Sequence, residues 1–371
     1  MLKILTVFGT RPEAIKMAVL VNKLKQEKNI ESRLCVTSQH REMLDQVLNL
    51  FSIKPDYDLN IMKPNQTLSE ITSSILVKLS EIFNLYKPDY VLVHGDTSTT
   101  LAASLASYYQ KINIAHIEAG LRTYNNYSPW PEEINRRVTS VLAEKHYAPT
   151  ENAKKNLLQE YIPESKILVT GNTVIDSLLT ITEKLKNDKN ILASMQSLFE
   201  FLNPQKKLIL VTGHRRESFG EGFENICKAL LTISKRDDVE ICYPVHMNPN
   251  VEKPVTEMLK GQKNIFLTKP YDYLPFVYLM NRSMIILTDS GGIQEEAPSL
   301  GKPILVMREN TERPEAVHAG TVKLVGTNIE KIIFETKNLL DNKEYYESMS
   351  TAVNPYGDGK ATDRIIKDLL Q

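Results

Sequence analysis

Hydrophobic positions along the chain alternate between short β-branched runs and longer segments with a helical period. In the first half the runs typical of strands are KILTVFG near residue 5, RLCVTS near 35, YVLVHG near 92 and NIAHIEA near 115. Segments with a 3.6-residue period lie between them and predict helices, for example over 13–27 and 68–86. This alternation predicts a parallel sheet covered by helices on both faces.

A second series of the same kind follows a polar, helix-prone segment around 180–205. Its strand-like runs are LILVTGH at 208, EICYPVH near 243, NIFLTK near 266, MIILTD near 286 and PILVM near 305. A chain of 371 residues is long for one hydrophobic core, so two domains are expected. The sequence therefore predicts an α/β protein with two doubly wound domains and a cleft between them.

Polar and glycine residues gather directly after the predicted strands. These groups are Gly9-Thr10-Arg11, Gly95-Asp96, His116 to Gly120, Gly213-His214-Arg215, His246 and Ser290-Gly291-Gly292. In open α/β sheets, ligands bind at the carboxyl ends of the strands. We therefore expect the functional site to be built from these groups.

The stretch LTDSGGIQEEAPSLGKPIL breaks an apolar run with Ser290-Gly291-Gly292 and then resumes as a predicted helix. Glycines let backbone N–H groups approach an anion, and a helix N-terminus adds a positive dipole end, so a diphosphate would fit here. Glu295 and Glu296, one turn later, would suit a hydroxyl-bearing ligand such as ribose. An ordinary strand-to-helix turn explains the stretch equally well.

The composition excludes several classes of protein. Lysine plus arginine equals aspartate plus glutamate at 45 each, which argues against nucleic-acid binding driven by bulk charge, and no basic run suggests a membrane surface. Cys35, Cys227 and Cys242 lie far apart and form no C-x-x-C pair, so neither a disulfide framework nor a zinc cluster is expected. With no signal-peptide pattern and no run of 18 apolar residues, we expect a cytoplasmic protein.

The common nucleotide motifs do not fit. No G-x-G-x-x-G follows the first strand. The string GDGKAT at 357–362 resembles a P-loop, but Asn354 stands where its first glycine belongs and Ala361 where a magnesium-binding Ser or Thr is needed. Hydride transfer by NAD and ATP hydrolysis are therefore set aside.

Cations stand at strand ends in both halves of the chain: Arg11 and Lys16 in the first, Arg215 and Arg313 in the second. They could clamp an anion, although a solvated basic helix face remains open for Lys16. His214 could donate to a phosphate or protonate a leaving one, or it could serve a structural hydrogen bond.

Carboxylates also end predicted strands. Asp96 follows one strand and Glu118 the next, while Glu132 and Glu133 follow Pro131 at a predicted helix start. Asp96 could instead be a helix N-cap. Burial of Glu118 at the end of an apolar strand is costly unless its charge is used or paired. Carboxylates grouped at strand ends suit proton transfer to and from carbon.

A series of long motifs extends from residue 8 to residue 359, nearly the whole chain: FGTRPEAIKMA, QHREMLDQVL, VLVHGDTSTTLA, IEAGLRT, SPWPEEINRR, TGNTVIDSL, TGHRRESFG, YPVHMNPNV, LTDSGGIQEEAPSLGKP, TERPEAVHAGT and NPYGDG. In this order they closely resemble the motifs of the non-hydrolysing UDP-N-acetylglucosamine 2-epimerases, which interconvert UDP-N-acetylglucosamine (UDP-GlcNAc) and UDP-N-acetylmannosamine (UDP-ManNAc).

The resemblance implies the GT-B architecture, with two Rossmann-like domains facing a central cleft and a C-terminal helix that crosses back to the first domain. The domains would then be 1–172 with 355–371, and 173–354. It also implies a homodimer that uses no cofactor and no metal and supplies ManNAc for bacterial surface polysaccharide. The implied reaction eliminates UDP to give enzyme-bound 2-acetamidoglucal and then adds UDP back.

Site residues follow from the matching motifs. The loop Ser290-Gly291-Gly292 would hold the UDP diphosphate and Glu296 the ribose. Further contacts to the nucleotide sugar are implied for Arg11, Lys16, Asp96, Glu118, His214, Phe276 and Arg313. Tyr271 departs from the pattern, because some relatives have a smaller or amide residue there; a backbone contact to uracil would tolerate this change. Proton transfer is assigned to Asp96, Glu118 and Glu132, and stabilisation of departing UDP to His214 and Arg11.

Some members of the family bind a second UDP-GlcNAc that activates the enzyme. Gln39, Arg215 and His246 match positions of that site and Glu132 is shared with it, but Glu42 and Asn65 replace an amide and an arginine. Three other functions remain open: a hydrolysing 2-epimerase that releases ManNAc and UDP, a GT-B glycosyltransferase, and a non-catalytic UDP-sugar sensor.

Overall fold

Two units, each built on one parallel sheet, make up the protein. The computed structural model describes residues 1–37, 41–63 and 65–371. Met1–Ser177 and Tyr356–Gln371 form the first unit, and Leu178–Pro355 form the second. The division lies within one helix, a few residues after the boundary at 172 that the family resemblance implies.

The first unit contains a seven-stranded parallel sheet with the order β3-β2-β1-β4-β5-β6-β7. Its strands are β1 (Leu2–Phe8), β2 (Ile30–Val36), β3 (Tyr57–Asp58), β4 (Tyr90–His94), β5 (Asn113–Ile117), β6 (Lys145–Ala148) and β7 (Ile167–Val169). The helices that follow them are α1 (Arg11–Gln26), α2 (Arg41–Leu50), α3 (Leu68–Tyr86), α4 (Ser98–Tyr109), α5 (Glu132–Leu142), α6 (Glu151–Gln159) and α7 (Thr173–Asn187), the last of which continues into the second unit.

The second unit contains a six-stranded parallel sheet with the order β10-β9-β8-β11-β12-β13. Its strands are β8 (Lys207–Thr212), β9 (Val239–Pro244), β10 (Ile265–Thr268), β11 (Ile285–Thr288), β12 (Ile304–Val306) and β13 (Val322–Leu324). Its helices are α8 (Lys189–Leu198), α9 (Glu221–Ile233), α10 (Pro249–Leu259), α11 (Tyr273–Arg282), α12 (Gly291–Glu296), α13 (Pro314–His318), α14 (Ile329–Asp341) and α15 (Lys343–Ser350).

Capping interactions explain where α1 and α3, the two helices predicted from their period, begin. The hydroxyl of Thr10 accepts from the backbone of Glu13 while the Glu13 carboxylate accepts from the backbone of Thr10, and Pro12 stands in the first turn. Thr67 and Glu70 form the same reciprocal cap on α3. Such a capping box satisfies backbone N–H groups that have no partner inside the helix.

The C-terminal helix α16 (Ala361–Leu369) belongs to the first unit, as the family resemblance implies. The buried carboxylate of Asp176 accepts from the backbone of Ala361 at 3.2 Å and from both the backbone and the hydroxyl of Thr362, at 3.0 and 2.6 Å. At the other end of α16, Lys145 pairs with Asp368 at 2.6 Å. Charged hydrogen bonds therefore fix both ends of the returning helix.

Every strand and helix that the sequence singles out is present, with α1 and α3 at the expected places. The sequence patterns did not single out β3, β6, β7 and β13, which have two to four residues each. All three cysteines are buried and unbridged. Within the described residues, no helix combines the length and the apolar character that crossing a membrane requires.

The strand orders determine where a ligand can bind. In each sheet the chain reverses direction across the sheet beside its first strand, between β1 and β4 and between β8 and β11. At such a switch point the loops after the two neighbouring strands diverge, which leaves a crevice at their carboxyl ends. The groups after β1, β4, β8 and β11 are four of the six that the sequence singles out; the other two are at the ends of β5 and β9.

Candidate functional site

In the first unit the candidate site begins with Glu118, the residue after β5. Its backbone is left-handed, with φ of 62°, and its carboxylate is almost fully buried. Lys16 of α1 and Asn172 donate to the same carboxylate oxygen, the latter at 2.7 Å. The strained backbone and the two donors together fix the direction in which this carboxylate points.

Asp96 lies at the end of the neighbouring strand β4. Nη2 of Arg136 donates to its Oδ2 at 2.5 Å. Burial raises the pKa of Asp96 above its ordinary value; Arg136 opposes this increase, and the nearby negative charge of Glu118 adds to it. Asp96 does not cap α4, because Thr97 is the N-cap and its hydroxyl accepts from Thr100 at 3.1 Å.

Glu13 connects the loops after β1 and β4. One carboxylate oxygen accepts from the backbones of Gly9 and Thr10 at 3.0 and 2.8 Å, and the other accepts from the hydroxyl of Thr97 at 2.8 Å. The side chain is only 2% exposed, and burial raises its pKa. Glu13 therefore holds the start of α1, where Arg11 is the first residue, against the loop that carries Asp96.

His94, the last residue of β4, lies beneath this cluster. Its Nε2 is 3.9 Å from the nearer carboxylate oxygen of Glu118. Burial lowers the pKa of His94 to about 4, so its ring is neutral near pH 7. Neither ring nitrogen has a hydrogen-bond partner among the described residues.

The structure does not bring all predicted carboxylates of the first unit into contact. Lys16, Asp96 and Glu118 form one charged cluster. Glu132 is the half-buried first residue of α5, outside this cluster of ion pairs. Its helix nevertheless reaches Asp96 through Arg136 and Asn135.

In the second unit the candidate site is organised by Asp289, the residue after β11. This carboxylate is 2% exposed and accepts from the backbones of His214 and Arg215 at 2.7 and 2.8 Å. Its second oxygen lies 3.1 Å from Nδ1 of His214. Although burial raises the pKa of Asp289, the contacts with His214 and Arg215 outweigh it and hold the pKa below its ordinary value. With Nδ1 against this carboxylate, Nε2 is the ring nitrogen left for a ligand.

The loop Ser290-Gly291-Gly292 begins α12, which has only six residues, so the dipole contribution expected from a longer helix is small. The guanidinium of Arg313 pairs with the buried carboxylate of Glu295. A Cβ on Gly291 would lie 3.7 Å from that guanidinium. Glycine therefore keeps open the space between the loop and Arg313, where an anion could meet backbone N–H groups and a cation.

The remaining predicted residues of the second unit are Glu296, at the end of α12, and Tyr271 and Phe276, just before and within α11. The buried Tyr273 hydroxyl donates to the Glu296 carboxylate at 2.9 Å and fixes its orientation. Phe276 lies one turn further along α11. Tyr271 packs edge-on against Phe199 with ring centroids 5.0 Å apart, so its ring is used in packing.

The structure describes only some of the residues predicted for a second nucleotide site. Gln39 lies outside the described residues. The ring of His246 stacks on that of His214 with centroids 5.6 Å apart. Arg215 contacts Glu312 at 3.8 Å. Arg215 and His246 therefore lie beside His214.

Comparison with known proteins shows the family of the chain. The sequence model of the UDP-N-acetylglucosamine 2-epimerase family matches residues 22–370. The chain belongs to this family. A UDP-N-acetylglucosamine 2-epimerase of Yersinia pestis is 61% identical over 369 residues, which cover 99% of this chain and 98% of the relative.

Solved structures of family members match along the full chain. The UDP-GlcNAc 2-epimerase of Neisseria meningitidis, bound to UDP-GlcNAc, is 58% identical with a TM-score of 0.91, and all of both chains is covered. The UDP-GlcNAc 2-epimerase of Methanocaldococcus jannaschii, in complex with UDP-GlcNAc and UDP, is 36% identical with a TM-score of 0.80, covering 100% of this chain and 99% of the other. The predicted GT-B-type fold class is confirmed.

Several residues that organise the site were not singled out from the family motifs. They are Glu13, Arg136, Tyr273 and Asp289, each of which holds a predicted site residue or its loop. One of them had a sequence signal, because Thr10 followed three residues later by Glu13 is the pattern of a capping box. The partners of the others come from distant parts of the chain.

We predict that Glu13→Ala lowers the free energy of unfolding by about 3 kcal/mol, because buried N–H and hydroxyl groups would lose their acceptor. Glu70→Ala is the matched control, since Glu70 occupies the same position of a solvent-exposed capping box. Its loss should be much smaller. Urea denaturation followed by circular dichroism measures both, and equal losses would show that the buried network adds nothing.

Proposed function

We propose that this chain interconverts UDP-GlcNAc and UDP-ManNAc by inversion at C2, without net hydrolysis. Membership of the family and the names of its relatives support the substrate. The observation that carries the chemistry is the pair Asp96 and Glu118, two carboxylates at neighbouring strand ends, each held by a cationic side chain. Carboxylates fixed in this way suit proton removal from carbon and proton return to it.

The C2 proton of UDP-GlcNAc has no ring carbonyl beside it and is therefore not acidic. In the proposed reaction the C1–O bond to UDP breaks, and the electron pair leaves with the diphosphate. The positive character at C1 acidifies C2–H, and a carboxylate takes the proton to give 2-acetamidoglucal. UDP then adds back to C1 while a proton is delivered to the opposite face of C2. Every step is redox-neutral, so the reaction requires no redox cofactor.

Asp96, Glu118 and Glu132 are the groups proposed for proton transfer. Burial raises the pKa of Asp96 above its ordinary value, which makes its carboxylate a stronger base. Glu118 is oriented by Lys16 and Asn172. Glu132 is proposed from the family resemblance and its place at the start of α5.

The second unit would stabilise the leaving group. The loop Ser290-Gly291-Gly292 and Arg313 are proposed to hold the diphosphate, and Glu296 the ribose. His214, backed by Asp289, is proposed to donate from Nε2 to the departing phosphate. Donors aimed at developing charge are usually the largest contribution to catalysis of this kind. Arg11 is proposed to add a further positive charge.

Competing functions make different demands. A hydrolysing enzyme would share the elimination but release ManNAc and UDP. A glycosyltransferase would need an acceptor, and neither it nor a UDP-sugar sensor would need several oriented carboxylates. We further propose that the product serves bacterial surface polysaccharide and that the enzyme is cytoplasmic.

The first test is proton NMR of the protein with UDP-GlcNAc in D₂O, with no added cofactor. We expect UDP-ManNAc with deuterium at C2. Accumulation of free ManNAc and UDP would favour the hydrolysing enzyme. A substrate that is bound but unchanged would favour a sensor or a transferase that lacks its acceptor.

The same measurement on Asp96→Asn and Glu118→Gln tests the assignment of the carboxylates. Each change removes a proton-transfer group while keeping its size, so turnover should fall by roughly 10²–10⁴-fold. Glu31→Gln is the control, since Glu31 is a carboxylate near the amino end of β2, whereas the candidate site lies at the carboxyl ends of the strands. Turnover near that of the wild type in either active-site variant removes that residue from the mechanism.

We also propose that a second UDP-GlcNAc binds beside His214, through Arg215 and His246, and activates the enzyme. A sigmoidal initial-rate curve is expected, and the reverse reaction from pure UDP-ManNAc should show a lag that added UDP-GlcNAc removes. Arg215→Ala should reduce the sigmoidal character, whereas Arg216→Ala, at the exposed neighbouring position, should not. A hyperbolic curve with an unaided reverse reaction would contradict the activation.

Self-association is proposed through α3, α4 and α5, which pack side by side in the first unit. Large apolar side chains are exposed on all three helices: Val77, Leu85, Tyr108, Tyr109 and Val141. Such a concentration is typical of a protein interface. Leu85→Glu with Val141→Glu should convert a homodimer to a monomer in light scattering, while Phe334→Glu, an exposed aromatic on α14, should not. A wild-type monomer would contradict the proposal.

A further inference from the structure

We propose that Arg136 is a positioning residue that holds Asp96 in the orientation needed for proton transfer, and that Glu133 and Asn135 complete the support. This inference rests on the proposed function. It assigns a role in that reaction to three residues of α5 that do not themselves exchange a proton with the sugar.

The first observation is that α5 holds Asp96 at two points. Arg136 donates to the carboxylate at 2.5 Å, and Nδ2 of Asn135 donates to the backbone carbonyl of Asp96 at 2.9 Å. The backbone and the side chain of one residue are therefore fixed by consecutive residues of one helix. A carboxylate held at both points has little freedom to change rotamer.

The second observation is that Arg136 is itself held. The carboxylate of Glu133 is fully buried and lies 3.4 Å from Nη1 of Arg136, one helical turn away. Glu133 also accepts from the backbones of Thr123 and Tyr124 at 3.1 and 3.0 Å. The loop before α5, the helix and Asp96 thus form one continuous charged chain. Loss of Arg136 would leave the buried Glu133 with less compensation and Asp96 with none from α5.

The positive charge of Arg136 also affects the pKa of Asp96. Burial and Glu118, at the end of β5, disfavour the charged form of Asp96, while Arg136 from α5 and Lys16 from α1 favour it. Arg136 is in direct contact with Asp96. Removing it should therefore raise the pKa of Asp96 further. If Asp96 acts ionised, the acid limb of the pH–rate profile moves to higher pH; if it acts protonated, the alkaline limb moves to higher pH.

A purely structural role for Arg136 makes a different prediction. It would lower the thermal stability and the amount of active enzyme, and the pH profile and KM of the remaining enzyme would not change. The experiment must therefore compare kcat, KM and the pH profile on folded enzyme. Titration of active sites through UDP binding corrects for any inactive fraction.

The variants are Arg136→Met, which removes the charge, and Arg136→Lys, which keeps it without the planar fork. We expect Arg136→Met to lower kcat by about 10²-fold, since a small misplacement of a reacting group has that effect, with little change in KM for UDP-GlcNAc. One limb of its pH profile should move to higher pH. Arg136→Lys should retain the wild-type limb but only part of the rate.

Arg137→Met is the matched control. Arg137 is the next residue, has a side chain 41% exposed, and contacts Asn126 and Glu160 rather than Asp96. Its kcat and pH profile should remain those of the wild type. Guanidinium ion added at low concentration to Arg136→Ala should restore part of the rate, whereas the wild type and Arg137→Met should gain nothing.

Several outcomes would overturn the inference. An unchanged kcat and pH profile in Arg136→Met would do so, as would an equal loss in Arg137→Met or a loss confined to KM. If Arg136→Met does not fold, Glu133→Gln and Arg136→Lys take its place, and an unshifted profile with full rate in both would be equally decisive. Failure of the wild type to turn over UDP-GlcNAc would instead contradict the proposed function, so the two failures are distinguishable.

Discussion

A buried carboxylate is stable only when donors or cations satisfy it, and this constraint shapes the carboxyl ends of β1, β4 and β5. Glu13, Asp96, Glu118 and Glu133 lie in one region of the first unit, and their mutual repulsion would disrupt it if they were unpaired. Different partners satisfy these carboxylates. Glu13 uses backbone N–H groups and hydroxyls, Glu118 uses Lys16 and Asn172, and Asp96 and Glu133 share Arg136. The loops take their shapes from these pairings.

In the second unit the same constraint on buried carboxylates has a different result. Asp289 and Glu295 are each 2% exposed, and the first is satisfied by two backbone N–H groups and the second by Arg313. Here the carboxylates point inward and leave donors, the ring of His214 and the guanidinium of Arg313, at the strand ends. A surface of donors suits a diphosphate, whereas the carboxylates of the first unit suit proton exchange. The proposed elimination requires both: donors that stabilise the departing diphosphate and a carboxylate that takes the C2 proton.

Much of this arrangement could be predicted from the sequence. The period of apolar residues indicated both sheets, and the strand-end rule indicated Asp96, Glu118, His214 and the loop at Ser290 from their positions along the chain alone. Short strands carry no period and are recognised only by a continuous apolar run, as β12 is by PILVM; β6 (KHYA) and β13 (VKL) contain charged residues and were missed, as was β7. Arg136 was missed for another reason. From sequence, a charged residue on an amphipathic helix is expected on the solvent-exposed face. Only the fold shows that Arg136 contacts Asp96, which lies 40 positions earlier in the sequence.

The distribution of cations explains why the carboxylates of the first unit can differ in function although they are chemically alike. Arg136 divides its charge between Asp96 and the fully buried Glu133, so its compensation of Asp96 is incomplete, and burial raises the pKa of Asp96 in spite of the contact. An isolated pair of Arg136 and Asp96 would favour a permanently ionised carboxylate, which is a poor proton donor. Glu133 therefore does more than anchor a loop. It draws on the same guanidinium, and burial keeps the pKa of Asp96 above its ordinary value, which makes this carboxylate a stronger base toward a proton on carbon.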